Sequence, residues 1–138
     1  LKARGEAIAE GLVSSVTLGA GQFCTNPGLV FVIDNAEGQS FITRVSELMD
    51  RSQPGVLLSL STLTNLDRAV DNTLAQASVS ERTTVDQVDP AGYCYPNTVL
   101  QTIRRNKSTT EYGGRVKHCT ALSKLANPES RHWETPTN

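Results

Sequence analysis

Cys24 lies within Leu18-Gly-Ala-Gly-Gln-Phe-Cys-Thr-Asn-Pro-Gly28, a stretch that surrounds one thiol with three glycines and a proline. A cysteine in such a place is either a small hydrophobe caught in a turn or a nucleophile held within reach of a substrate; spacing alone leaves both open. Acyl-transfer chemistry needs steric access to the sulfur. It also needs a backbone N–H directed at the oxyanion that forms when a carbonyl is attacked, and a glycine-rich turn can present one. No base or cation adjoins Cys24 in sequence, so a Cys–His hydrolase would require His118 or His132 to fold back onto it. Cys94 reads as a buried hydrophobe and Cys119 matches no catalytic pattern. With no C-x-x-C or His-rich spacing, no metal site is expected, and three scattered cysteines read as reduced thiols of a cytoplasmic chain.

The elements that must hold this loop follow from periodicity. Ile8, Leu12, Val13 and Val16 recur at helical spacing among alanines, predicting a helix over roughly residues 1–17 that Gly19 and Gly21 end. Leu29-Val-Phe-Val-Ile33 predicts a short strand buried on both faces. Phe41, Ile42, Val45, Leu48 and Met49 mark a second helix over roughly 37–51, stopped by Ser52-Gln-Pro-Gly55. Leu63, Leu66, Val70 and Leu74 mark a third, with Ser61 or Thr62 as N-cap. Val56 to Leu60 is ambiguous between strand and helix entry, Thr83 to Val88 reads as a strand, and Tyr93 to Ile103 has strand content broken by Pro96. This alternation predicts an α/β fold with a mainly parallel sheet and flanking helices.

At 138 residues the chain fits one domain, and its 38% hydrophobic and 20% charged residues are those of a soluble protein, with no apolar run that could span a bilayer. The opening Leu1-Lys-Ala-Arg-Gly-Glu has neither Met nor the pattern of a signal peptide, so residue 1 need not be a natural start. A net charge of −1 gives no reason to expect nucleic acid or membrane as a partner. The charge is unevenly spread: residues 1–103 hold 6 Lys/Arg against 11 Asp/Glu, whereas 104–138 hold 7 against 3. A boundary at 103/104 is therefore expected, with 104–138 a basic tail of unclear origin, solvated or disordered and without the aromatic interleaving of a nucleic-acid surface.

Thr17-Leu-Gly-Ala-Gly-Gln-Phe-Cys-Thr-Asn-Pro-Gly-Leu-Val30 resembles the cysteine active-site segment of the aldehyde dehydrogenase superfamily, in which a Gly-Gln-x-Cys core follows a helix and precedes a strand. The wording Gln-Phe-Cys-Thr-Asn-Pro-Gly is similar to the branch of 2,5-dioxovalerate (α-ketoglutarate semialdehyde) dehydrogenases and NADP-preferring bacterial fatty-aldehyde enzymes. The helix Leu1-Lys-Ala-Arg-Gly-Glu-Ala-Ile-Ala-Glu-Gly-Leu12 also resembles the one preceding that cysteine, and the similarity runs to about Thr102. The resemblance implies that residues 1–103 are a fragment of an aldehyde dehydrogenase catalytic domain. It implies Cys24 as a nucleophile that forms a thiohemiacetal and then a thioester, with its own N–H as half of an oxyanion hole. Phe23 and Thr25 would line the aldehyde pocket, while Gln22 and Asn26 are polar residues that shape the loop by hydrogen bonding the turn.

The same resemblance implies NAD(P), a small aldehyde substrate, and a cofactor-binding domain or homo-oligomer partners beyond this chain. No site for the cofactor is visible: Gly19-Ala-Gly21 is not a G-x-G-x-x-G following a strand. The family's general-base glutamate and second oxyanion donor are expected in segments preceding Leu1. After Val99-Leu-Gln-Thr-Ile103 the chain enters Arg104-Arg-Asn-Lys rather than the family's Glu-x-Phe-Gly-Pro, as in a frameshifted or spliced tail or a divergent C-terminus. The expectation is a chain inactive alone, with apolar surfaces prone to self-association; a non-catalytic structural or interaction fragment with an α/β core is the alternative.

Overall fold

The computed structural model describes residues 1–85, 88, 92–103 and 116–122. Helix α1 spans Gly5–Thr17, and its stripe of Ala9, Val13 and Val16 is buried. Ile8, expected on that stripe, is instead 44% exposed, because the buried face runs one residue further round the helix. Strand β1 spans Val30–Ile33 and helix α2 Ala36–Arg51. Asn35 starts α2 by accepting the Gly38 N–H at 2.8 Å, and Arg51 in the last turn complements the helix dipole. Where α2 ends, the Asn97 side chain donates to the Ser52 carbonyl at 2.8 Å.

Helix α3 spans Leu60–Leu74, one turn earlier than its apolar face suggests. Its N-cap is Ser59 rather than Ser61 or Thr62: the Ser59 hydroxyl accepts the Thr62 N–H and shares short contacts with both neighbouring hydroxyls. Strands β2, β3 and β4 span Val79–Glu81, Thr98–Ile103 and Val116–Leu122.

The four strands form one sheet in the order β1-β4-β3-β2, and every pairing is antiparallel. The expected parallel sheet is thus corrected to a mixed helix-and-strand fold with an antiparallel sheet. The reason is β4, which falls within residues 104–138 and inserts between β1 and β3, pairing Val30 with Cys119 and Gln101 with Cys119. Strands β1 and β3 still run in the same direction, but through a strand that reverses it. β1 is buried on one face only: Val32 packs against α1 and α2 while Phe31 and Ile33 are more than 60% exposed. Val99 and Leu100, successive residues that point to opposite faces of β3, are each 1% exposed, so this interior strand is covered on both sides.

The strand expected over Thr83 to Val88 does not form across its described residues. Side chains take over the hydrogen bonding there: the Thr83 hydroxyl accepts the Val99 N–H, and Asp50 accepts both the N–H and the hydroxyl of Thr84. β2, just before, provides the pairing instead.

Helices α1 and α2 pack together over Val32 and Val99, closing a core of Ala9, Val13, Val16, Phe41, Ile42, Val45 and Met49. On the surface Arg44 joins them through Glu6, with Glu47 beside it, and those hydrogen bonds raise the guanidinium above its ordinary value. A second cluster gathers Leu57, Leu66 and Val70, with Leu63, Leu74 and Tyr95 against them. Burial, then the negative charges of Asp67, Asp71 and Glu81, push the Tyr95 phenol up to about 12.

Two outcomes follow for stability. Ile42→Ala, at a site 1% exposed, should cost about 2–5 kcal/mol in urea unfolding. Tyr95 is raised in the folded state above its ordinary 10.0, so its contribution is intact below that pH and declines as pH climbs through about 12. Tyr95→Phe should flatten this part of the alkaline fall in unfolding free energy.

Candidate functional site

The cysteine loop leaves α1 through a short 3₁₀ turn, Leu18–Gly21, in which Gly19, Ala20 and Gly21 all have left-handed φ angles of 58°, 58° and 73°. Gly19 and Gly21 adopt that region at little steric cost, but Ala20 does not, since its Cβ crowds the following carbonyl. What holds Ala20 there is packing. A Cβ on Gly55 would lie 2.5 Å from the Ala20 Cβ, so the loop sits on Gly55 as closely as a residue without a side chain allows. The glycines were legible as a helix stop; the seat on Gly55 was not, its one advance signal being the Pro54-Gly55 pair at the end of α2.

Beyond this turn the chain makes a second one. The Asn26 N–H donates to the Phe23 carbonyl at 3.1 Å, which leaves Cys24 and Thr25 as the two central residues. Phe23, Cys24 and Thr25 are all exposed, and the Phe23 ring folds back over Gly19. The Cys24 thiol is free, and its N–H has no hydrogen-bond partner among the described residues.

Both shoulders of the turn are anchored, as expected of Gln22 and Asn26. The Asn26 side chain donates to the Val16 carbonyl at 2.8 Å, satisfying one of the last carbonyls of α1. The Gln22 side chain donates to the carbonyls of Gly19 and Val56 and accepts the Leu58 N–H at 2.8 Å. That the Val56–Leu58 segment shares the site could not be read from spacing, because Gln22 meets it across 34 residues.

Among the described residues none of the other sequence-derived candidates hydrogen-bonds Cys24. Cys94 is half-buried and forms an isolated bridge with Val56. His118 stands on β4 opposite Phe31 and Thr102, and His132 lies outside the described residues. Cavities of about 460 and 350 Å³ are lined from α1, β1 and α2, with no residue of the cysteine turn. Among the described residues no group of three His, Cys, Asp or Glu could hold a metal, and no helix is long and apolar enough to cross a membrane. Nor do these residues fit a dinucleotide: the Gly19–Gly21 turn follows a helix rather than a strand, and the helix after β1 begins at Ala36 with no glycine-rich loop before it.

Arranged this way, an exposed thiol beside an unengaged backbone N–H has the parts needed to add to a carbonyl and steady the resulting oxyanion. Comparison with known proteins gives the class: over part of its length the chain is similar to aldehyde dehydrogenases. The particular relatives are alpha-ketoglutaric semialdehyde dehydrogenase 2 of Azospirillum brasilense, 51% identical over 59 residues, and alpha-ketoglutaric semialdehyde dehydrogenase of Acinetobacter baylyi, 35% identical over 71. These stretches are 43% and 51% of this chain but only 11% and 14% of the relatives, so the chain spans a small part of the curated proteins it matches. No family model and no solved structure matches. The expected resemblance to aldehyde dehydrogenases, on the side of the α-ketoglutarate semialdehyde enzymes, is thereby borne out.

The seat on Gly55 yields a direct test. Gly55→Ala should lower unfolding free energy by about 1–3 kcal/mol through overpacking against Ala20. Combining it with Ala20→Gly should recover part of that loss, a non-additivity that a double-mutant cycle measures.

Proposed function

We propose that this chain is the cysteine-bearing piece of an aldehyde dehydrogenase catalytic domain, with residues 1–103 as the family segment and 104–138 as a basic extension. The observation that carries the reading is the exposed Cys24 at the crest of an anchored turn, in a chain similar to two semialdehyde dehydrogenases. In its thiolate form Cys24 adds to the carbonyl carbon of an aldehyde. A sulfur–carbon bond forms, and the carbonyl electron pair moves to oxygen as an alkoxide facing the Cys24 N–H. Phe23 and Thr25 flank the sulfur and line the approach of the aldehyde.

Oxidation to the acid calls for NAD(P), which the described residues do not fit, so this chain works with a cofactor-binding domain supplied outside them. Alone, in a cytoplasmic setting, it carries the thiol chemistry and little turnover. A charged semialdehyde is the substrate class that the relatives' names suggest.

A second reading, a non-catalytic interaction fragment, is favoured by the exposed apolar side chains of Leu18, Phe23, Val56, Leu58 and Leu60 on the loop and the segment it touches. Alkylation separates the two. With iodoacetamide at neutral pH, Cys24 should react faster than Cys94, and added aldehyde should protect Cys24 alone. Equal rates at the two thiols, with no protection, would leave the interaction reading standing.

A further inference from the structure

We propose that Gln22 is the positioning residue for Cys24: its carboxamide takes the place of a peptide unit beside Val56–Leu58 and so fixes the turn that carries the thiol. This rests on the reading of Cys24 as a nucleophile. The geometry is that of a missing strand. Gln22 Nε2 donates to the Val56 carbonyl at 3.2 Å, and Gln22 Oε1 accepts the Leu58 N–H at 2.8 Å. These are the carbonyl before and the N–H after Leu57, the pair that one residue of a parallel neighbour would engage.

Leu57 itself turns the other way. Its N–H donates to the Tyr93 carbonyl at 2.8 Å, and its side chain, 2% exposed, is buried in the second cluster. The segment is therefore fixed from behind and presents one donor and one acceptor forward. A primary amide, planar and carrying both functions, meets them together.

The consequence reaches Cys24 because Gln22 stands immediately before the turn. Asn26 holds the other shoulder to the end of α1, while Ala20 rests on Gly55, next to Val56. The direction of the Cys24 N–H, and with it the half of the oxyanion site that this chain supplies, depends on both shoulders staying fixed. All of the Gln22 bonds are exposed, so water can replace them without unfolding the chain. Their loss disorients the turn more than it destabilises the fold.

The test uses the whole chain with propanal as the aldehyde probe and three forms: parent, Gln22→Met, which keeps volume but loses all three side-chain bonds, and Gln22→Glu, which keeps only the acceptor for Leu58. Iodoacetamide, a small reagent that needs no oriented N–H, should alkylate Cys24 in Gln22→Met within about two-fold of the parent rate. Protection by propanal should need about ten-fold more aldehyde, the scale expected from a misplaced reacting group, and Gln22→Glu should recover part of it. Hydrogen exchange gives a readout independent of chemistry: the Leu58 amide should exchange faster in Gln22→Met while the Leu57 amide does not change.

Unaltered Leu58 exchange, or full propanal protection in Gln22→Met, overturns the role of Gln22 while leaving Cys24 as nucleophile. No propanal protection in the parent overturns the nucleophile itself, and the positioning role with it.

Discussion

The methyl group of Ala20 lies against the bare α-carbon of Gly55, and the path of the chain between α1 and β1 follows from that contact. A left-handed alanine costs about 1–2 kcal/mol and does not persist without compensation. The compensation comes from a segment more than thirty residues away, held in turn by the Leu57 bond to Tyr93. Because the turn is closed on this seat, Gln22 comes within reach of Val56 and Leu58, and Phe23 folds back on Gly19. The thiol is displayed by a loop that has almost no slack at its base.

The helices and the first strand were legible because their signals are local. Phe41, Ile42, Val45 and Met49 recur with the period of a helix, and Leu29 to Ile33 is a β-branched run whose end is marked by Asp34-Asn35. The sheet was less so. Alternation of helix and strand captures the common direction of β1 and β3, since both run opposite to β4. It cannot anticipate that a strand from the basic segment enters between them. Burial of β1 on both faces was inferred from its composition, yet α1 and α2 pack on the face that carries Val32, and Phe31 and Ile33 are exposed on the other.

At the site the division is similar. A thiol flanked by glycines and a proline announces an exposed turn, and Gln22 and Asn26 are residue types that hydrogen-bond such turns. Their partners were hidden because contact between Gln22 and Val56 depends on how α2 and the following segment return beneath the loop. Ser59 rather than Ser61 or Thr62 caps α3 for a related reason: with three hydroxyl residues within four positions, the one placed by tertiary packing becomes the cap.

The pairing of Val30 with Cys119 sets an order on assembly. During synthesis α1, β1 and α2 emerge from the ribosome long before β4, so the strand after the cysteine loop has no neighbour while most of the chain is still being made. Strands β3 and β4 are close in sequence and can zip early, whereas β1 must be captured across the 83 positions that separate Ile33 from its partner Val116, a contact of high order and slow closure. Until that partner arrives, Leu29-Val-Phe-Val-Ile33 is an apolar segment without its strand neighbour.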